Sequence, residues 1–255
     1  MQTYCKKVLA IASAFLFEKD IEMRIDKYLA NMNVGSRKEV HSLIKKKVVT
    51  VNGELVTIPK QQVKETDLVA VDGNKIAYQQ YHYFLLNKPK GVISATEDRS
   101  QQTVISLLKT KDRYQGIAPV GRLDKDTTGL LLLTNDGALA HELLAPNKHV
   151  AKVYRAKIAG VPDPETAKKF AQGLILGDGT KLKPAKLKIL KQDQDNNLSQ
   201  IEIQIQEGKY HQIKRMFGAV GMKVLELDRV SMGKLHLPAD LKRGEYKEID
   251  LAEIK

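Results

Sequence analysis

The residues Gly129-Leu-Leu-Leu-Leu-Thr134 leave this chain little freedom. A short unbroken apolar run closed by a turn signal, here Asn135-Asp-Gly137, reads as a buried strand. A buried strand commits the chain to a packed sheet, and the flanking sequence supplies one. Tyr83-Phe-Leu-Leu86 and Gly91-Val-Ile-Ser94 read as short strands around Asn87-Lys-Pro-Lys-Gly91. Lys152 to Ile158 alternates as a strand, and Leu187 to Leu190 and Leu198 to Gln206 are strands around a polar turn. Helices fall between them. One spans Ala138 to Leu144. A second opens at Asp163-Pro-Glu-Thr166, with Pro164 in the first helical position. A third runs from His211 to Val220 and is stopped by Gly221. The order lacks the steady strand–helix rhythm of a doubly wound sheet. It predicts an α+β domain with a mixed, largely antiparallel central sheet.

Ahead of this domain lies a smaller unit. Met23 to Ala30 carries Ile25, Tyr28 and Leu29 at helical spacing. Ser36 and Glu39 are spaced as a capping box and open a second helix, with Val40, Leu43 and Ile44 facing inward. Its other faces hold Arg37, Lys38, His41, Lys45, Lys46 and Lys47. Val48 to Val56 reads as two strands joined at Asn52-Gly53, and Asp67 to Asp72 as a further strand. Ile76 to His82 has no clear period, which puts the domain boundary there: 23–80 for the small unit and 81–255 for the large one. Residues 1–22 read as a peripheral extension. Cys5 to Phe17 has the basic start and apolar core of a signal peptide. The acidic stretch Glu18-Lys-Asp-Ile-Glu22 follows without a small-residue cleavage site, so Met23 is taken as the start of the recognisable chain.

Charge narrows the partner. The chain holds 42 Lys and Arg against 30 Asp and Glu, a formal net charge of +12. That excess suits a polyanion, because each basic contact releases counterions condensed on a phosphate backbone. Membrane surfaces are the other common acidic partner, but no apolar run reaches spanning length. Cys5 is the only cysteine, so neither an internal disulfide, a zinc site nor a redox pair can be built from it, as suits a reducing cytoplasm. No histidine has metal-ligand spacing with another His, Cys or acid cluster. Nucleotide-type Gly-rich loops and a Gly-x-Ser-x-Gly elbow are missing too. Neither metal nor cofactor is expected.

The loop before the buried strand, Gly121-Arg-Leu-Asp-Lys-Asp-Thr-Thr128, concentrates charge and hydroxyls. Taken alone, it is as readily a surface loop with Asp124 as a turn residue as it is a catalytic loop. The sequence around it resembles the catalytic motif of pseudouridine synthases, in Gly121-Arg-Leu-Asp124 followed by Thr127-Thr-Gly-Leu-Leu131. Leu86-Asn-Lys-Pro-Lys-Gly91, Lys152-Val-Tyr-Arg-Ala156 and Glu207-Gly-Lys-Tyr-His-Gln-Ile-Lys-Arg-Met216 match the same family in the same order. The small unit resembles the S4 RNA-binding domain through Arg24-Ile-Asp-Lys-Tyr-Leu29, Gly35-Ser-Arg-Lys-Glu-Val40 and Val49-Thr-Val-Asn-Gly53. Together these cover Met23 to the C-terminus.

The resemblance implies isomerisation of one uridine in ribosomal RNA to pseudouridine. It makes Asp124 the catalytic carboxylate, with Asp126 its rival two positions on. It makes Tyr154 the aromatic that packs on the target base, and Lys214 the cation beside the carboxylate, where many relatives carry Arg. A lysine is a point charge, so a bidentate pair is not expected. Arg122 is placed near the flipped base or its phosphates. In the small unit Arg24, Lys27, Ser36, Arg37, Lys38, His41, Lys45 and Lys46 become the RNA-facing set. The Glu207–Phe217 stretch looks most like the small-subunit branch, which implies small-subunit (16S) rRNA, within an assembly intermediate, acted on by a cytoplasmic monomer. The alternatives are a large-subunit (23S) synthase of the same branch and, from a different class, a non-catalytic S4 rRNA-binding or assembly protein.

Overall fold

Glu22–Ala145 and Asn147–Lys255 are described in the computed structural model, so the extension with its signal-peptide outline lies outside the described residues. The chain divides between Gln80 and Tyr81 into two units. The first opens with strand β1 (Glu22–Arg24), which runs into helix α1 (Ile25–Asn31). The helix expected from Met23 starts two residues late, because Met23 and Arg24 are extended and pair with Val63 and Gln62. Helix α2 (Arg37–Lys45) is capped as its sequence predicts: the Ser36 hydroxyl accepts from the Glu39 N–H, and the Glu39 carboxylate accepts from the Ser36 N–H.

Strands β2 (Val49–Val51) and β3 (Glu54–Leu55) follow. They form a hairpin at Asn52-Gly53, where φ is +52° and +87°, the positive pair a two-residue type I′ turn requires. Then come β4 (Gln62–Lys64), which takes β1, and β5 (Val69–Val71) and β6 (Asn74–Ile76), which complete a sheet ordered β3-β2-β5-β6. Strands β4 and β6 were not expected, since each is a short run with little apolar content. Ile25, Tyr28, Leu29, Val40 and Ile44 from the helices pack with Val49, Val51 and Val69 in one core; Leu43 is only partly buried against it.

The second unit is built on nine strands. In chain order its elements are β7 (Tyr83–Lys88), β8 (Ala118–Pro119), β9 (Thr128–Thr134), α3 (Gly137–Leu144), β10 (Lys152–Ala159), α4 (Pro164–Gln172), β11 (Lys186–Asp193), β12 (Leu198–Ile205), α5 (Gln212–Gly218), β13 (Lys223–Met232), β14 (Leu235–His236), β15 (Tyr246–Glu248) and α6 (Leu251–Ile254). The main path is β11-β12-β10-β13-β9-β7-β15, with β14 on β13 and β8 on β9. Every pairing is antiparallel except β13 with β9. The mixed, mostly antiparallel sheet is therefore the one expected.

Strand β9 is buried on both faces. Leu131 and Leu133 join one core with Phe170 of α4 and Met216 and Phe217 of α5, while Leu130 and Leu132 join another with Leu139 and Leu143 of α3. The period of two sends alternate leucines to opposite sides. Gly129 is needed where β9 meets β13: at φ +101°, a Cβ there would lie 2.2 Å from the Arg229 carbonyl oxygen.

Two sequence expectations are corrected. Gly91–Ser94 is not a strand; it contributes an isolated bridge from Ile93 to Thr103. Its bonds go to the neighbouring loop instead: the Gly91 N–H donates to the Lys125 carbonyl, and the Ser94 hydroxyl to that of Leu123. Strand β7 runs two residues past Leu86, through the buried Asn87 and Lys88. Among the described residues no helix is long and apolar enough to cross a membrane.

Candidate active site

The charged loop between β8 and β9 is held from beneath by a buried lysine. Lys88 has no exposed surface. Its ammonium donates to the carbonyls of Pro89, Asp124, Lys125 and Thr127 at 3.1, 3.1, 3.4 and 2.9 Å. A buried cation needs such a cage, because unpaired it loses its hydration without return. Burial pulls its pKa down to about 8, against the opposing pull of the Asp126 and Asp124 charges. Ser94 adds a second tie: its hydroxyl donates to the Leu123 carbonyl at 2.9 Å and accepts the Leu123 N–H at 3.0 Å. The loop therefore presents its carboxylates from a fixed backbone.

Asp124 lies at the mouth of a narrow slot of about 70 Å³, whose walls include Tyr154 from β10, Ile205 at the end of β12, Leu227 from β13 and Lys214 from α5. Tyr154 is 7% exposed and also belongs to the core, so the core role and the site role fall on one residue. The Thr127 hydroxyl, on the same slot, is buried without a hydrogen-bond partner among the described residues. The slot adjoins a larger space of about 550 Å³ lined by Asp124, Arg122, Ser94, Gln101 and His211. Arg122 is exposed and lines both spaces.

Lys214 is shared between two carboxylates: its ammonium donates to Asp124 Oδ2 at 3.1 Å and to Asp126 Oδ1 at 2.6 Å. Burial pulls the Lys214 pKa down, but the bonds to Asp126 and Asp124 more than offset this and hold it above the ordinary lysine value. The Lys214 bond in turn holds the Asp126 carboxyl below the usual range. Geometry separates the two acids. Asp124 faces the slot with its side chain 30% exposed, whereas Asp126 is 57% exposed and lines neither space.

Asp124, Tyr154, Lys214 and Arg122 line one slot; His211 and Lys88 had no role assigned from sequence. His211 has a left-handed backbone at φ +47°. Its ring stacks on Tyr210 at 3.9 Å, and its Nε2 is 3.6 Å from Asp124 Oδ1. The hint of Lys88 in the sequence is its place in the Leu86-Asn-Lys-Pro-Lys-Gly91 motif.

In the small unit the RNA-facing set divides. Asp26 is fully buried. It takes Arg24 at 3.1 and 2.6 Å and His41 at 3.0 Å; burial raises its pKa, and these two partners lower it further than burial raises it. The Ser36 hydroxyl is committed to its cap. These three side chains hold the unit together, since a buried carboxylate and a helix terminus both need partners. Lys27, Arg37, Lys38, Lys45 and Lys46 stand exposed.

Comparison with known proteins places these features in context. Residues 82–219 match the family described as RNA pseudouridylate synthase, and residues 23–69 match the S4 domain. Ribosomal large subunit pseudouridine synthase B of Bacillus subtilis is 40% identical, covering 91% of this chain and 94% of its own. Ribosomal small subunit pseudouridine synthase A of Escherichia coli K12 is 38% identical, covering 91% and 98%. A crystal structure of a pseudouridylate synthase superposes with a TM-score of 0.61 at 33% identity, covering 91% of this chain and 98% of that one.

Proposed function

This chain belongs to the RNA pseudouridylate synthase family and carries an S4 RNA-binding domain ahead of the synthase domain, and from that premise we propose that it isomerises one uridine of small-subunit ribosomal RNA with Asp124 as the catalytic carboxylate. The observation that carries the assignment of Asp124 is the lysine-paired carboxylate at the mouth of a slot walled by an aromatic ring. Uridine and pseudouridine have the same atoms, so the reaction needs bond breaking and remaking but no redox partner. A carboxylate can supply the covalent step. A stacked base is out of reach, so the uridine must turn out of its helix or loop into the slot. There Tyr154 packs on its face, while Arg122 at the rim meets the backbone that carries it. Lys214 keeps a positive charge beside the acid throughout, as its raised pKa requires.

The non-catalytic alternative has no use for this arrangement. The identities of 40% and 38% do not separate the large-subunit from the small-subunit relatives. What favours the small-subunit target is the sequence of the Glu207–Phe217 stretch, in which the Tyr210-His211 pair is followed by Lys214. The test is direct. Purified protein is incubated with unmodified small-subunit and large-subunit rRNA, naked and with ribosomal proteins bound, and pseudouridine is mapped by carbodiimide-induced stops in primer extension. One new stop in the small-subunit RNA is expected. A stop only in the large-subunit RNA moves the target, and none in any RNA moves the protein to the binding class.

The exposed lysines of α2 carry a separate expectation. Lys45→Gln with Lys46→Gln should weaken RNA binding several-fold and lower the slope of log affinity against log salt by about 1 to 2, one contact per lost phosphate. Pseudouridine formation at saturating RNA should persist. Equal affinity and slope in variant and wild type would remove α2 from the RNA interface.

A further inference from the structure

Behind Tyr154 lies a second cavity, of about 320 Å³, that the isomerisation does not use. Arg122, Tyr154, Gly208 and Lys209 line both it and the Asp124 slot, so the two spaces adjoin. Its inner wall holds two buried cations on neighbouring strands, Lys152 of β10 at 8% exposure and Arg229 of β13 at 2%. Arg229 donates Nε to the Leu130 carbonyl at 2.8 Å, while its Nη2 is buried with no partner among the described residues. Lys152 donates to the Val150 carbonyl at 3.2 Å. Burial and then the Arg229 charge hold the Lys152 pKa below the ordinary lysine value.

The acid on this wall is already engaged. Glu207 Oε1 accepts the Lys183 N–H and Gln212 Nε2, both at 2.9 Å, and its Oε2 is 3.9 Å from Lys209 Nζ. Two like charges buried side by side cost free energy, and a spare guanidinium N–H adds to it. A base or sugar edge would satisfy the donor but leave the charge. A phosphodiester satisfies both, through charge-assisted hydrogen bonds.

We propose that Lys152 and Arg229 form a phosphate site that takes the RNA backbone phosphodiester next to the flipped uridine. This rests on the reading of the Asp124 slot as the uridine site, since the walls shared with that slot are what fix which phosphate is bound. The site then acts as a gauge of backbone position: the base enters the slot when the neighbouring phosphate is seated behind Tyr154.

The test measures binding of unmodified small-subunit rRNA across a potassium chloride series, with thermal melting to establish folding. Lys152→Met should lower affinity about tenfold at low salt and reduce the salt slope by about 1, the loss of one phosphate contact. Lys152→Arg, which keeps the charge, should restore both. Should Lys152→Met fail to fold, Arg229→Gln reads the same slope from the other cation of the pair. A folded variant without the charge that keeps wild-type affinity and slope overturns the phosphate site. Asp124→Asn is the separate control: it should keep the wild-type slope and lose product. Product persisting in that variant would overturn the uridine-slot reading instead.

Discussion

Asp124→Asn should lower the single-turnover rate of pseudouridine formation by about 10⁴-fold or more, with RNA affinity within about twofold of wild type. The substitution keeps the size of the side chain and removes its charge and its nucleophilic oxygen. The geometry around it should survive. Lys214 remains bonded to Asp126 at 2.6 Å, and the loop backbone is fixed by Lys88 and Ser94 rather than by the Asp124 carboxylate. A loss of rate can therefore be assigned to the chemistry and not to collapse of the site. Asp126→Asn is the matching control. It removes the more exposed partner of Lys214 and should cost far less, about tenfold or below, since that carboxylate does not face the slot. If the two variants exchange these effects, the catalytic role belongs to Asp126.

Lys88→Met should destabilise the synthase domain by about 3 kcal/mol and, in whatever protein remains folded, slow the reaction by about 10²-fold. A buried charge is often replaceable by an apolar side chain without loss, provided its partners are replaced as well. That remedy is unavailable here, because the partners of Lys88 are main-chain carbonyls that no side-chain substitution removes. Methionine relieves the burial of an ammonium, the same burial that depresses its pKa to about 8, but strands those carbonyls in a dry interior. Relief of the first offsets part of the second, hence a net loss of a few kcal/mol rather than the sum of four bonds. The rate effect has a separate origin: with the cage gone, the Asp124 backbone can shift, and small displacements of a catalytic group are expensive. Chemical denaturation with single-turnover kinetics on the same preparation reads both. Unchanged stability would mean that the carbonyls find water, and unchanged rate that the loop is held by Ser94 alone.

The two ends of the site were not equally legible in the sequence. Strand β9 announced itself because four consecutive leucines between a charged loop and an Asn-Asp-Gly turn admit one structure. The Ser36–Glu39 box and the Asn52-Gly53 turn were legible for the same reason: each is a local arrangement whose partners are a few residues apart. Strand β13 was not. Lys223-Val-Leu-Glu-Leu-Asp-Arg-Val-Ser-Met232 interrupts its apolar residues with Lys223, Glu226, Asp228 and Arg229, and Arg229 looks like a surface residue until the sheet closes over it. Lys88 was hidden for a related reason. Burial of a lysine depends on carbonyls supplied by a loop far along the chain, and the hydrogen bond to Asp124 spans 36 residues. Asp124, Tyr154 and Lys214 were singled out through the family resemblance; the residues that position them needed the fold.

The parallel seam between β9 and β13 also sets when the protein can first work. Thr128 bonds Asp228 across 100 residues, and Asp124 meets Lys214 across 90. A chain still being translated has emitted the Asp124 loop long before the strand and helix that complete its surroundings. Contacts this remote in sequence form late, after the cost of closing a long loop has been met. A partial chain that ends at β12 would hold the carboxylate, the aromatic ring and the S4 unit, yet lack both the lysine and the strand that seats the loop. Such a chain would carry the carboxylate loop without the residues that complete it, so a nascent chain is expected to stay inactive until β13 has been made.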